Sequence, residues 1–264
     1  MKLNKQQRMS KITVILEKIN QAKPLDFGTI FSDSIELFKK SWLYGFLFQL
    51  IVLIITLPFI IVLYVPFVKS IIEQSKSGSV DPDVFGSLFA GFTGLYLAFF
   101  VLGLLAVTVF QMALQAGFFR IVKNIDDGNE VQISDLFYFL KGKYFGGVTL
   151  LTLTIILISI VAALLFYVPL IYAMIPLSFF TIVFAFNSEL SIGEIVKISF
   201  SLGTKKWLIS FGLFIVTYVI VVFLTLLTCG IGSLFLSPFI YLPLYFVYKQ
   251  VIGFEEENPV EVIE

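Results

Sequence analysis

The chain of 264 residues has no histidine and a single cysteine, Cys229. A Ser-His-Asp triad, a histidine proton relay, a Cys/His metal site and an internal disulfide are therefore excluded within it. Charge is also sparse, at 14% of residues with a formal net charge of zero, so no basic domain is available for nucleic acid. A glycine-rich phosphate loop and a nucleophile elbow are both missing, and no cofactor or metal is expected. What fills the chain instead is apolar: 58% of residues are hydrophobic and 31 are Phe. A soluble domain of this length cannot bury that much apolar surface, which predicts an all-α integral membrane protein.

One stretch occurs twice. Residues 26–46 read DFGTIFSDSIELFKKSWLYGF and residues 191–211 read SIGEIVKISFSLGTKKWLISF; without a gap, Gly28, Ile30, Ser34, Leu37, Lys40, Trp42, Leu43 and Phe46 fall on Gly193, Ile195, Ser199, Leu202, Lys205, Trp207, Leu208 and Phe211. Each copy is amphipathic, ends in basic residues and a Trp, and runs at once into a long apolar segment. That layout predicts an interfacial helix feeding a membrane span. Asp26 and Ser191 are the expected N-caps, the latter with Glu194 as a capping box. A shorter third copy aligns Ile133, Ser134, Leu136 and Phe137 with the first, with Tyr144 in the place of Trp42.

Apolar runs follow these segments in pairs, at about 43–68 and 92–122, 145–168 and 170–186, and 208–228 and 231–248. At roughly 20 residues each, they predict six transmembrane helices arranged as three repeats of interfacial helix plus helical hairpin. The expected organisation is a basic amphipathic segment at 1–25, a six-helix domain at 26–251 (units 26–123, 132–186 and 191–251) and an acidic, disordered tail at 252–264. The last two hairpins are predicted to turn at Pro169 and at Cys229-Gly230. Helix 1–23 carries Met9, Ile12, Ile15, Leu16 and Ile19 at helical spacing among six basic residues, which suits either anionic headgroups or packing on the protein's own face. It has no short apolar core with a cleavage site, so no cleaved signal peptide is expected. Asp81-Pro82-Asp83 and Asp126-Asp127-Gly128-Asn129 are expected to be solvated turns.

Sixteen of the 18 basic residues lie in segments that alternate hairpins would place on one side, and only Lys69 and Lys76 lie opposite. The positive-inside rule then makes both termini cytoplasmic in a bacterial inner membrane. No Asp, Glu, Lys or Arg falls well inside an apolar run, which argues against an ion-driven machine. The strongest polar groups at depth are Gln49, Gln111 and Gln115, suited to hydrogen bonding between helices or to a polar path. Ala113 and Gly117 set a small-xxx-small spacing for close packing, and the prolines in or beside the spans are expected to bend them.

The segments FGTIFSDSIELFKKSW, DDGNEVQISDLF and NSELSIGEIVKISFSLGTKKW together resemble a broad group of uncharacterised bacterial six-span membrane proteins, similar to the membrane domain fused to some glycerophosphodiester phosphodiesterases. The resemblance implies the six-span fold and carries over no catalytic residue, since those enzymes act through a separate soluble domain that uses His. The sequence therefore points to a non-enzymatic accessory or scaffold protein. Lys39, Lys40, Trp42, Lys205, Lys206 and Trp207 would form an interface for the lipid bilayer, especially anionic lipids, or for a membrane protein partner. The alternative is a facilitator or transporter of an apolar or lipid-like solute along Gln49, Gln111 and Gln115. Topology is directly testable: a cysteine introduced at Ser77 should react with an impermeant thiol reagent in intact cells, and one at Ser188 should not. Labelling at Ser188 alone, or at both, contradicts the charge argument.

Overall fold

The structure is a computed structural model that describes residues 5–77, 94–165 and 168–254, and among these no strand occurs. In chain order the helices are α1 (Lys5–Gln21), α2 (Phe27–Ser77), α3 (Gly94–Asp126), a 3-10 helix (Ile133–Leu140), α4 (Gly142–Leu164), α5 (Val168–Ser178), α6 (Phe180–Phe186), α7 (Ile192–Lys205), α8 (Trp207–Leu227), α9 (Ser233–Leu236), a second 3-10 helix (Ser237–Tyr241) and α10 (Leu242–Val251). The chain divides into two compact units, one of Met1–Gln49 with Met112–Glu264 and one of Leu50–Gln111. Asp81-Pro82-Asp83 and the acidic residues from Glu255 onward lie outside the described residues.

Among the described residues five stretches are long and apolar enough to cross a membrane: Phe27–Val62, Ala98–Asp126, Gly142–Leu164, Pro169–Phe186 and Trp207–Leu227. In Phe27–Val62 only 11% of the most apolar window is buried within the protein, and in α4 and α8 22%. Leu157, Leu164, Phe223 and Leu226 are all exposed. A helix set that leaves this much hydrocarbon uncovered is compatible with a multi-pass membrane protein, because lipid then covers what the protein does not.

The core of the larger unit is built from segments whose apolar residues are buried on most faces, with a few polar side chains among them. They are 112–122 of α3, α6, and α10. Leu114, Phe118, Phe119 and Ile121 of α3 are buried, as are Phe180, Ile182 and Val183 of α6 and Leu242, Tyr245, Val247 and Tyr248 of α10. The sixth apolar run, expected as a single span, is thus in three short pieces, α9, a 3-10 turn and α10. Pro238 and Pro243 lack the amide a continuous helix needs, and each sits at the start of its own piece. The hairpin before it turns at Cys229 and Gly230, both with left-handed backbone (φ 51° and 92°). There the Gly230 amide reaches back to the Thr225 carbonyl at 2.8 Å, closing the end of α8.

The repeated stretch buries corresponding positions in its two copies. Ile30, Ser34, Leu37, Ser41 and Phe48 are buried in α2, and so are Ile195, Ser199, Leu202, Lys206 and Leu213, each 165 residues later. Both copies also start with the expected caps: the Asp26 carboxylate accepts the Thr29 amide at 2.7 Å, and Ser191 and Glu194 exchange amide bonds. The Thr29 amide also holds the Asp26 carboxyl below its ordinary pKa. The helices expected at Phe27–Ser41 and Ser134–Lys143 have other bounds, however. The first is the N-terminal part of the 51-residue α2, with no break at Trp42; the second is a 3-10 helix that ends at Leu140. Only at Lys206 does the later copy distort, and even there backbone bonds from Lys206 to Leu202 and from Ser210 to Lys206 carry the helical pattern through.

Gly117 makes a close approach, not to another span but to the first 3-10 helix. A methyl group placed on it would lie 2.2 Å from the Leu136 carbonyl oxygen. Gly117→Ala should therefore destabilise the larger unit by about 1–3 kcal/mol, whereas Gly142→Ala, where nothing lies within 4 Å, should leave the detergent melting curve nearly unchanged.

Candidate functional site: a basic cavity beside the N-terminal helix

The residues singled out from the sequence do not form one surface. Lys39, Lys40 and Lys205 are exposed, and Trp42, at 45% exposure, has Phe235 as a ring neighbour, 6.5 Å away. Lys206, by contrast, retains 7% exposure. Its ammonium donates to the carbonyls of Lys23 at 2.6 Å and Ala22 at 3.3 Å, the chain segment just beyond α1, whose carbonyls have no helical partner. Burial, and secondarily Lys205, hold the Lys206 pKa below the ordinary 10.5. The cost of its charge is therefore present at neutral pH and fades as pH rises toward that value. Trp207 is also tied inward, donating its indole N–H to the Tyr172 carbonyl at 3.0 Å and stacking on Phe211.

The three glutamines are not gathered into a path. Gln115 accepts a long, 3.5 Å bond from Thr181, a link between α3 and α6. Gln49 is half-buried and Gln111 is exposed.

A concave site of the larger unit lies elsewhere. A cavity of about 1070 Å³ opens between α1, the C-terminal end of α3, the start of α4, the 185–191 segment, and Tyr248 with Ile252–Phe254 beyond α10. Its elements are held by local chemistry. Ile12, Ile15 and Ile19 bury one stripe of α1, which packs on α7 and turns Arg8, Lys11 and Lys18 toward the cavity. Asp126 accepts both the Tyr245 hydroxyl, at 2.6 Å, and the Lys249 ammonium, locking α3 to α10. Asn187 donates to the Val183 carbonyl at 3.0 Å and to the Tyr248 hydroxyl at 2.8 Å. Phe254 packs on Phe186, Tyr245 and Tyr248, so the first residues of the segment expected to be a disordered tail are part of the wall.

Among the described residues the lining carries six basic side chains, Arg8, Lys11, Lys18, Arg120, Lys123 and Lys143, against one acidic, Glu189. Three of the six have specific partners: Lys11 pairs with Glu189 at 2.6 Å, Lys18 donates to the Ile252 carbonyl at 2.8 Å, and Lys123 pairs with Asp127 at 2.8 Å. The Arg120 guanidinium lies 3.8 Å over the Tyr138 ring. Yet the Nε atoms of Arg8 and Arg120 are buried with no hydrogen-bond partner among the described residues, and a buried donor left in that state costs about 1–3 kcal/mol. Arg8 and Arg120 are the chain's only arginines, the one sequence signal that marks this site in advance. Among the described residues no group of His, Cys, Asp or Glu is arranged to hold a metal ion.

No family model, curated protein or solved structure matches the chain. The burial contrast between adjacent lysines is testable. Lys206→Met should orphan the Ala22 and Lys23 carbonyls and destabilise the protein by about 1–3 kcal/mol, whereas Lys205→Gln should change stability by less than about 0.5 kcal/mol; thermal unfolding in detergent checks both.

Proposed function

We propose that this protein is a non-enzymatic, multi-pass protein of a bacterial cytoplasmic membrane, an accessory or scaffold that binds anionic lipid at the face carrying both of its ends. The observation that carries this reading is the cavity lined by six basic side chains and one acidic, in a chain whose long apolar helices leave most of their surface to hydrocarbon. Such an excess of positive charge beside a bilayer attracts anionic headgroups, at about 1 kcal/mol per basic residue near the surface.

The topology belongs to the same reading. Five crossings would put the two ends on opposite sides, but Lys18 of α1 is hydrogen-bonded to the Ile252 carbonyl. A sixth crossing by the broken, largely buried run 231–251 supplies the even number, and the cytoplasmic assignment then follows from the sixteen basic residues gathered on that side. Corresponding burial in the two copies of the repeated stretch supports a six-span architecture built from repeats.

Protein purified in an uncharged detergent should retain anionic lipids enriched over their share of the source membrane. Changing Lys39, Lys40 and Lys205 to Gln, with Lys206 left in place as a structural residue, should reduce that enrichment several-fold. Lipids retained in bulk proportion by the wild type would contradict the proposal.

A further inference from the structure

We infer that the cavity beside α1 is a binding site for a phosphate group, held between the two arginines Arg8 and Arg120 with Lys143 as a third cation. The inference rests on the anionic-lipid reading above and sharpens it from a charged face to one saturable site.

Lys11, Lys18 and Lys123 are committed to Glu189, to the Ile252 carbonyl and to Asp127. Arg8 and Arg120, more than a hundred residues apart in the chain, line the same cavity, and each holds a buried Nε–H with nothing to receive it among the described residues. Two guanidiniums that line the same cavity with no anion between them repel one another, and an oxyanion accepting from their remaining N–H groups offsets that repulsion.

The geometry favours phosphate over a carboxylate. A carboxylate offers two oxygens in one plane, whereas a phosphate monoester or inorganic phosphate offers three or four set tetrahedrally, which suits two forks and an ammonium arriving from different walls. The Arg120 guanidinium is already fixed by its stacking over Tyr138 at 3.8 Å, and Lys143 sits beside Tyr144 at the cavity wall. The site is therefore organised before anything binds, which lowers the ordering cost of binding. At about 1070 Å³ the cavity takes a headgroup with room for its glycerol. The shared chemistry is the phosphate oxyanion, supplied either by a lipid headgroup or by free phosphate.

The test uses the full chain, delipidated in an uncharged detergent and examined by native mass spectrometry with dioctanoyl phosphatidic acid, dioctanoylglycerol and inorganic phosphate as probes. Wild type should bind one phosphatidic acid saturably, bind no dioctanoylglycerol at the same concentration, and lose the lipid to excess phosphate. Arg8→Gln, and Arg120→Lys, which keeps a cation over Tyr138 and so preserves the fold, should each weaken binding about tenfold or more. Lys39→Gln with Lys40→Gln should leave that single site intact. Saturable binding of phosphate without phosphatidic acid upholds the site and assigns it a soluble ligand. If both arginine variants bind as wild type does while the Lys39/Lys40 variant does not, the cavity inference falls and the anionic-lipid reading stands. If the wild type binds neither probe and retains no anionic lipid from the source membrane, both fall.

Discussion

A charged side chain at the centre of a bilayer costs several kcal/mol, and that constraint arranges this chain. Its basic residues are excluded from the apolar runs and collect where the runs end. Once collected, they repel one another unless neutralised, so the fold distributes partners: Glu189 for Lys11, Asp127 for Lys123, Asp126 for Lys249, and backbone carbonyls for Lys18 and Lys206. The cavity is where this distribution stops short. Arg8 and Arg120 reach it with donors to spare, and its chemistry follows from that remainder.

The same constraint explains why the core looks as it does. Inside a bilayer no hydrophobic force separates one apolar face from another, so helices are held by close fit and by polar links. Gly117 lets the first 3-10 helix approach α3 to the distance of a missing methyl group. Asp126 ties α3 to α10, Asn187 ties the end of α6 to Tyr248, and Trp207 ties α8 to α5. Each link lies near a helix end, on the side where the cavity opens or where α7 meets α8. The far ends of α4 and α8 present Leu164, Leu226 and Leu227 outward and, among the described residues, carry no comparable links.

Much of this was legible in residues taken a few at a time. The caps at Asp26 and Ser191, the turn at Cys229-Gly230 and the apolar runs all depend on neighbours in sequence, and local chemistry specifies them. The identities shared by the repeated stretch also carried structural meaning, since Ile30, Ser34 and Leu37 and their later counterparts are the buried face. Continuity was not legible: a basic pair followed by Trp reads as a helix end, yet nothing at Ser41-Trp42 breaks the backbone pattern, and α2 passes straight through. Nor was the fate of individual lysines. Lys205 and Lys206 are adjacent and chemically identical, and only the position of the segment after α1 decides that one is exposed and the other holds two carbonyls. The cavity is assembled from residues near positions 8, 120, 143, 189 and 250, a separation that no periodicity reports. The restriction of arginine to two of its walls was the trace it left in the sequence.

The central claim is that the N-terminal helix and the end of the last apolar run meet on one face and enclose the basic cavity between them. A photoreactive side chain placed at Lys18, activated in native membranes and followed by peptide mass spectrometry, tests it most directly. An intrachain cross-link to the peptide that carries Tyr248 to Phe254 is expected. Adducts to lipid alone, or to the segment around Ser77, would contradict it.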